Sequence, residues 1–400
     1  MPSRARLLAS SIPAATLLLA ATVAPAAAVP APAPAFAELA TFAVSGEVAE
    51  ILAVTPDGRT LLYTDSATGE VGLVDLTRPA EPRAIGAVPV DGEPTSVTVT
   101  GDGRHALAVV DTSTSSTDPS GELAVIDLHT RSVVRTIDLG GQPDSIALRP
   151  NGAVAAVAVE NQRDEGIEVD GVEGGLPQAP AGFLAVVDLR GTPDRWAVDR
   201  VELTGLEGVA FPEDPEPEYV DVNRQGIAAV TLQENNAIAL VDLRTRTVVG
   251  SFSAGTVTRT DADTVDDGVI VFDDALTAPR EPDAVQWTPG GNLVTADEGD
   301  LAEEPSGGRG WTVFSPAGEI VSSSGGAAER ALADAGRYPD GRSDDKGAEF
   351  EGVEVAAPEL LQVLPTGEAP EGLLAVKRGH LLLASNEDDG TISVFRLSRG

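Results

Sequence analysis

Cysteine is absent from the sequence. That excludes disulfides, lipid attachment through cysteine, Cys–His catalysis and thiolate zinc sites. Histidine occurs only at His105, His129 and His380, which leaves little for histidine-based chemistry. Lysines and arginines number 27 against 63 acids, for a net charge of −36. Phosphate backbones would be repelled, so nucleic acid is excluded as a natural partner and anionic membranes are disfavoured. Beyond the leader no apolar run is long enough to cross a bilayer. Helical periodicity is nearly absent there too, which excludes a helical solenoid.

Residues 1–28 read as a secretory signal peptide, with Arg4 and Arg6, the apolar stretch Leu7 to Ala21, and the small-residue cleavage site Ala26-Ala27-Ala28. An Ala/Pro-rich tether over 29–37 follows. The expected product is exported and soluble, secreted or held at the cell surface, without a membrane span, and monomeric. Export without disulfides suits a core large enough to need no staples.

The body of the chain repeats one strand-opening pattern. In Gly141-Gln142-Pro143-Asp144-Ser145-Ile146 a turn residue and a proline precede a small polar or acidic pair and an apolar run. Close copies open at Glu93-Pro94-Thr95, Glu216-Pro217-Glu218 and Glu281-Pro282-Asp283; looser ones lie at Glu349-Phe350-Glu351, Ala369-Pro370-Glu371 and Val48-Ala49-Glu50. Proline extends the residue before it and has no N–H to donate, so it sits well at the first residue of a strand. Behind each opening come a short turn, a second strand, a third ending in forms such as Val125-Ile126-Asp127-Leu128, and a fourth. The step is 46 residues from Val48 to Pro94 and 49 from Pro94 to Pro143. Four short antiparallel strands at that spacing make a propeller blade. The expected fold is an all-β, seven-bladed β-propeller over 38–400.

The two ends complement each other. Glu38 to Ser45 has the form of a fourth strand, and Leu373 to Leu397 supplies three strands without a fourth. Pairing them would close the ring and cover its open edges. One blade is shortened. Only 20 residues separate Val353 from Leu373, where four strands need roughly 40; Gly352 to Ala356 and Leu360 to Leu364 are its expected first and fourth strands.

Long insertions fall between second and third strands or between blades, and in an up-and-down blade those loops share one face. That mouth is where function is expected. The histidines belong to the opposite face, so a Ser–His–Asp set would have its histidine on the wrong side. Second-strand ends and first-strand beginnings bring acids to the mouth. Oxygen groups at those points suit calcium, and a metal site is placed among Glu234, Asn235, Glu298, Asp300, Glu218, Asp283 and Glu351. The alternative is that a chain this acidic simply has acidic, solvated loops. Arg337, Arg342 and Lys346 are candidates for holding an anion, with ordinary ion pairing as the competing account.

The stretch Val230 to Leu243, with Thr295-Ala296-Asp297-Glu298-Gly299-Asp300, Arg342-Ser343-Asp344-Asp345-Lys346-Gly347 and Ala369-Pro370-Glu371-Gly372-Leu373-Leu374, resembles the choice-of-anchor I family of exported propellers over most of residues 45–400. Blades two and three also resemble the YVTN-type repeat of surface-layer proteins. The resemblance implies a seven-bladed propeller at or outside the cell surface, and some relatives carry alkaline-phosphatase or phytase-like labels. The sequence departs from the family in the short blade after Glu351 and in showing no sorting motif. The expected role is a binding module for a surface protein, glycan or small ligand, with an acidic, calcium-binding mouth. The alternative is a metal-dependent phosphoesterase.

Overall fold

A computed structural model describes residues 35–164, 166–299, 305–354, 362–367 and 369–398. The signal stretch 1–28 and residues 29–34 lie outside the described residues.

Among the described residues six antiparallel sheets of four strands make up a β-propeller. Blade one is Leu52–Val54, Thr60–Asp65, Glu70–Asp75 and Arg83–Pro89; blade two is Glu93–Val99, His105–Asp111, Gly121–Asp127 and Ser132–Asp138. Blade three is Pro143–Leu148, Val154–Val159, Phe183–Asp188 and Ala197–Glu202; blade four is Pro217–Val222, Ile227–Leu232, Ala237–Asp242 and Thr247–Ser253. Blade five is Pro282–Trp287, Leu293–Asp297, Gly310–Phe314 and Ile320–Ser323. Blade six is Pro370–Val376, Leu381–Asn386 and Thr391–Ser398 with Ala35–Ala43 as its outer strand.

The strand chemistry follows from position in the blade. Second and third strands are sandwiched between neighbouring blades, so both faces are apolar: Ala106 to Val110 and Leu123 to Ile126 are buried without a break. The outer strand Ser132–Asp138 instead alternates exposed and covered residues. Third strands of blades one to four end in an aspartate, Asp75, Asp127, Asp188 or Asp242, whose Oδ1 accepts the N–H two residues on at 2.8–3.1 Å. This local bond stops the strand and turns the chain.

The core lies between blades. Leu107, Val109, Leu123 and Val125 meet Val157, Val159 and Val187 across blades two and three. Ala156, Leu184 and Val186 meet Val220, Val230 and Val241 across blades three and four. Leu52 and Leu61 meet Leu383 and Val394, joining blade one to blade six. Among the described residues no such apolar cluster joins blade five to blade six.

That junction is where the short blade was expected. Among the described residues neither 352–354 nor 362–364 is strand; the remainder of the two expected strands, 355–356 and 360–361, lies outside them. Glu351 to Val353 lines the channel with the first strands of blades five and six. The Glu354 carboxylate accepts Gln286 Nε2 of blade five at 3.3 Å and the Ala375 N–H of blade six. Among the described residues of this segment no strand ladder is formed.

The N-terminal strand pairs antiparallel with the last one, Ala35 against Ser398 through Ala43 against Thr391. It begins three residues earlier than the sequence suggested. Ala35–Ala37, expected in the tether, are laddered to Ser398, Leu397 and Arg396.

Two insertions pack over blade five. One is a hairpin of Thr256–Ala262 and Asp274–Pro279; the other carries the helix Ala327–Asp334. Arg309, with no exposed surface, ties them together. Its guanidinium donates to the carbonyls of Ser306 at 2.9 Å, Asp263 at 2.8 Å and Ser343 at 3.1 Å. Glu329 of the helix, also fully buried, pairs with Arg259 of the hairpin and lies 3.8 Å from Arg309.

Candidate functional site: the carboxylate-lined channel mouth

The proline of each opening pattern does more than start a strand. Pro143 pairs with Val159, but the next partners are Ile146 and Val157, so Asp144 and Ser145 stand opposite Ala158 alone. The same two-against-one bulge sets Glu218 and Tyr219 opposite Thr231, Asp283 and Ala284 opposite Ala296, and Glu371 and Gly372 opposite Ser385. In blade two the register shifts at Thr95. A bulge bends its strand and re-aims a side chain; here the residue after each proline faces the channel.

Hydroxyls of the second strand hold several of these bulges. Thr231 Oγ1 accepts the Tyr219 N–H at 2.9 Å, and Ser385 Oγ accepts the Gly372 N–H at 2.9 Å. Thr64 does the same for Ile51 at 3.0 Å in blade one. There Glu50 is drawn onto the Thr64 and Ser66 hydroxyls.

The result is a cavity of about 320 Å³ lined by Thr95, Asp144, Glu218, Asp283, Glu298, Glu351, Glu371 and Glu387, with Tyr219 and several apolar residues. No lysine, arginine or histidine is among the lining residues. Charge crowded into a half-buried space raises carboxyl pKa values. Burial pushes Asp144 to about 7. Burial, then the neighbouring Glu50, Glu387, Glu351 and Asp144, push Glu371 to about 8. Glu351 reaches about 7 through burial and the charges of Glu298, Glu349 and Glu387, opposed by Lys346. Glu218 rises well above the usual range through burial and then the charges of Asp283 and Glu160, and Asp283 does so through burial and then those of Glu298 and Asp144. Glu218 and Glu371 each have a buried carboxylate oxygen with no hydrogen-bond partner.

Of the seven residues expected to hold a metal, Glu218, Asp283, Glu298 and Glu351 line this cavity. Asp300 lies outside the described residues. Glu234 and Asn235 are committed elsewhere. Glu234 pairs with Arg163, whose guanidinium also meets Asp214 at 3.2 Å and Glu216 at 3.1 Å. Asn235, fully buried, accepts the Glu216 N–H at 2.8 Å and donates to the carbonyls of Ala210 and Asp214 at 2.8 and 2.9 Å. It pins the loop before blade four. Among the described residues no three His, Cys, Asp or Glu side chains form a ready metal-holding group.

The opening pattern contained the missing members. Asp144 and Glu371 follow their prolines as Glu218 and Asp283 do, and that position was the signal. Arg163 had no such signal, because its partners lie 51 to 71 residues away. The residues considered for an anion are ion-paired or exposed. Arg342 meets Asp345 at 3.3 Å and Glu349 at 2.5 Å; Lys346 meets Glu298 at 3.2 Å and Glu349 at 3.8 Å. Arg337 is exposed. His105 starts its strand edge-on to Trp196, with ring centroids 6.0 Å apart, away from the mouth.

Sheets of four strands around an acid-lined channel define an all-β propeller module. The chain belongs to the choice-of-anchor I family, whose domain matches residues 50–304. The motifs at Arg342 to Gly347 and Ala369 to Leu374 lie beyond that match. A solved chain of Kuenenia stuttgartiensis hydrazine synthase is similar in fold, with a TM-score of 0.50 at 16% identity, over 90% of this chain and 98% of that one. No curated protein matches the chain. Among the described residues no helix is long and apolar enough to cross a membrane.

Proposed function

We propose that this protein is an exported, surface-associated binding module, and that its channel mouth receives a cation, calcium being the first candidate. The family supports the setting. One observation carries the reading: four bulges turn Asp144, Glu218, Asp283 and Glu371 into one cavity that also holds Glu298, Glu351 and Glu387. The carboxylates do not form a tight cage. A hydrated ion, or one that draws flexible side chains inward, fits such a space better than a bare ion at 2.3–2.6 Å. We read the ring as seven sectors, six complete blades and the single segment Glu351 to Glu354, closed by the N-terminal strand.

A phosphoesterase is the weaker reading. The lining offers seven acids and no basic side chain to receive a phosphate. Any anion would be repelled unless divalent ions neutralised the acids first.

The test is thermal. Millimolar calcium should raise the Tm by binding the folded state, and sodium chloride at matched ionic strength should raise it much less. Glu218→Gln should remove the difference, whereas Glu234→Gln should not. Equal stabilisation by the two salts would reduce the mouth to a screened, acidic rim. Release of phosphate from a phosphomonoester, abolished by chelator, would favour the esterase reading instead.

A further inference from the structure

The hairpin inserted between blades four and five ends in a loop from Asp263 to Asp273 that is apolar where it meets water. Val265, Val269, Ile270 and Val271 are 49%, 58%, 42% and 44% exposed. Contiguous apolar side chains left outside a fold mark a contact surface more often than isolated ones do.

The backbone beneath them is pinned. Asp263, 2% exposed, accepts the Val271 N–H at 3.1 Å and the Val265 N–H at 3.5 Å. Asp267 accepts the Val269 N–H at 2.9 Å, and Asp340 of the second insertion accepts the Gly268 N–H at 2.7 Å. Arg309 holds the Asp263 carbonyl from below. Phe272 turns inward, edge-on to Tyr338 at 5.2 Å, with Arg330 over its face. Carboxylates of Asp263, Asp267 and Asp340 thus hold four of the loop's N–H groups, while its valines and isoleucine stay exposed. A surface held in this way loses little conformational freedom on binding.

Charge selects the occupant. Asp266, Asp267 and Asp273 are exposed around the tip, and the nearby Arg330 is paired with Asp261 at 2.7 Å. A second copy would bring the same acids against these, and an anionic bilayer would be repelled. We propose that the loop is a docking finger for a protein partner that offers an apolar cleft rimmed by lysine or arginine.

The test uses the full chain and defined probes: an amphipathic leucine/lysine peptide, a serine/lysine peptide of equal charge, a leucine/glutamate peptide, and phosphatidylcholine vesicles. Anisotropy should show binding of the leucine/lysine peptide alone. Replacing Val269 and Ile270 together by serine should weaken it at least about tenfold without changing the Tm, because both side chains are exposed. Asp266→Asn with Asp273→Asn should reduce its salt dependence, and Glu218→Gln at the mouth should leave it unchanged. The proposal is overturned by no binding of that peptide, by equal binding of the serine/lysine peptide, or by indifference to the serine substitutions. Vesicle binding or self-association lost with the same substitutions overturns it in favour of a membrane or a second copy.

Discussion

The Tyr219 N–H donates to Thr231 Oγ1 at 2.9 Å, and this bond fixes the bulge that aims the preceding Glu218 at the channel. Thr231 has no exposed surface. Thr231→Val keeps the shape but leaves the N–H without that partner, at a cost of about 1–3 kcal/mol. Urea unfolding should show that loss, and the calcium-specific rise in Tm should shrink with it. A valine variant as stable as the parent would mean the bulge stands without the hydroxyl.

Arg163 is the single guanidinium among Asp214, Glu216 and Glu234, and its side chain is 5% exposed. Arg163→Met would strand three crowded acids, and breaking a buried pair in this way costs about 3–5 kcal/mol. Arg163→Lys, which keeps a positive charge there, should lose less than the methionine variant in urea unfolding. Equal losses from the two would assign the effect to packing.

Stability should fall as pH rises through neutrality. Glu371, Glu351 and Asp144 have folded-state values of about 8, 7 and 7 against ordinary ones near 4. The folded state therefore binds more protons than the unfolded chain between those limits, so their contribution is full below about pH 4 and lost by about pH 8. Turn aspartates such as Asp75 and Asp242, whose values are lowered by backbone N–H bonds, lose their contribution only on further acidification. The Tm should be higher at pH 5.5 than at pH 8, and calcium should narrow the gap at pH 8. A Tm that climbs over that range would show that the mouth acids are not crowded as described.

Deleting residues 29–46 removes the strand laddered to Thr391–Ser398. It also uncovers an edge. The Tm should drop by about 2–4 °C for each kcal/mol lost, with aggregation on heating. An unchanged Tm would mean that the ring does not depend on this strand.

Much of the architecture could be read from the chain because its determinants are local. Proline placement marks where first strands begin, the Asp75, Asp127, Asp188 and Asp242 turns end third strands, and unbroken apolar runs identify strands buried on both faces. The propeller class and the four-stranded blades among the described residues follow from these local signals.

What the tertiary structure decided depends on distance and register. Asp144 and Glu371 carried the same local pattern as Glu218 and Asp283, but only the bulge against the second strand turns that position into the channel. Glu234 looked like a mouth ligand until Arg163, 71 residues away, claimed it. Composition could not foresee that the loop of Val269 and Ile270 would be held outward by Asp263 and Asp340, 72 residues from Gly268. The sequence by itself determined strands, turns and the number of acids, since those are set by each residue's own backbone and hydropathy. Which acids share a cavity, which are neutralised and which apolar groups stay exposed were decided by packing between blades, where residues remote in the chain compete for the same partners.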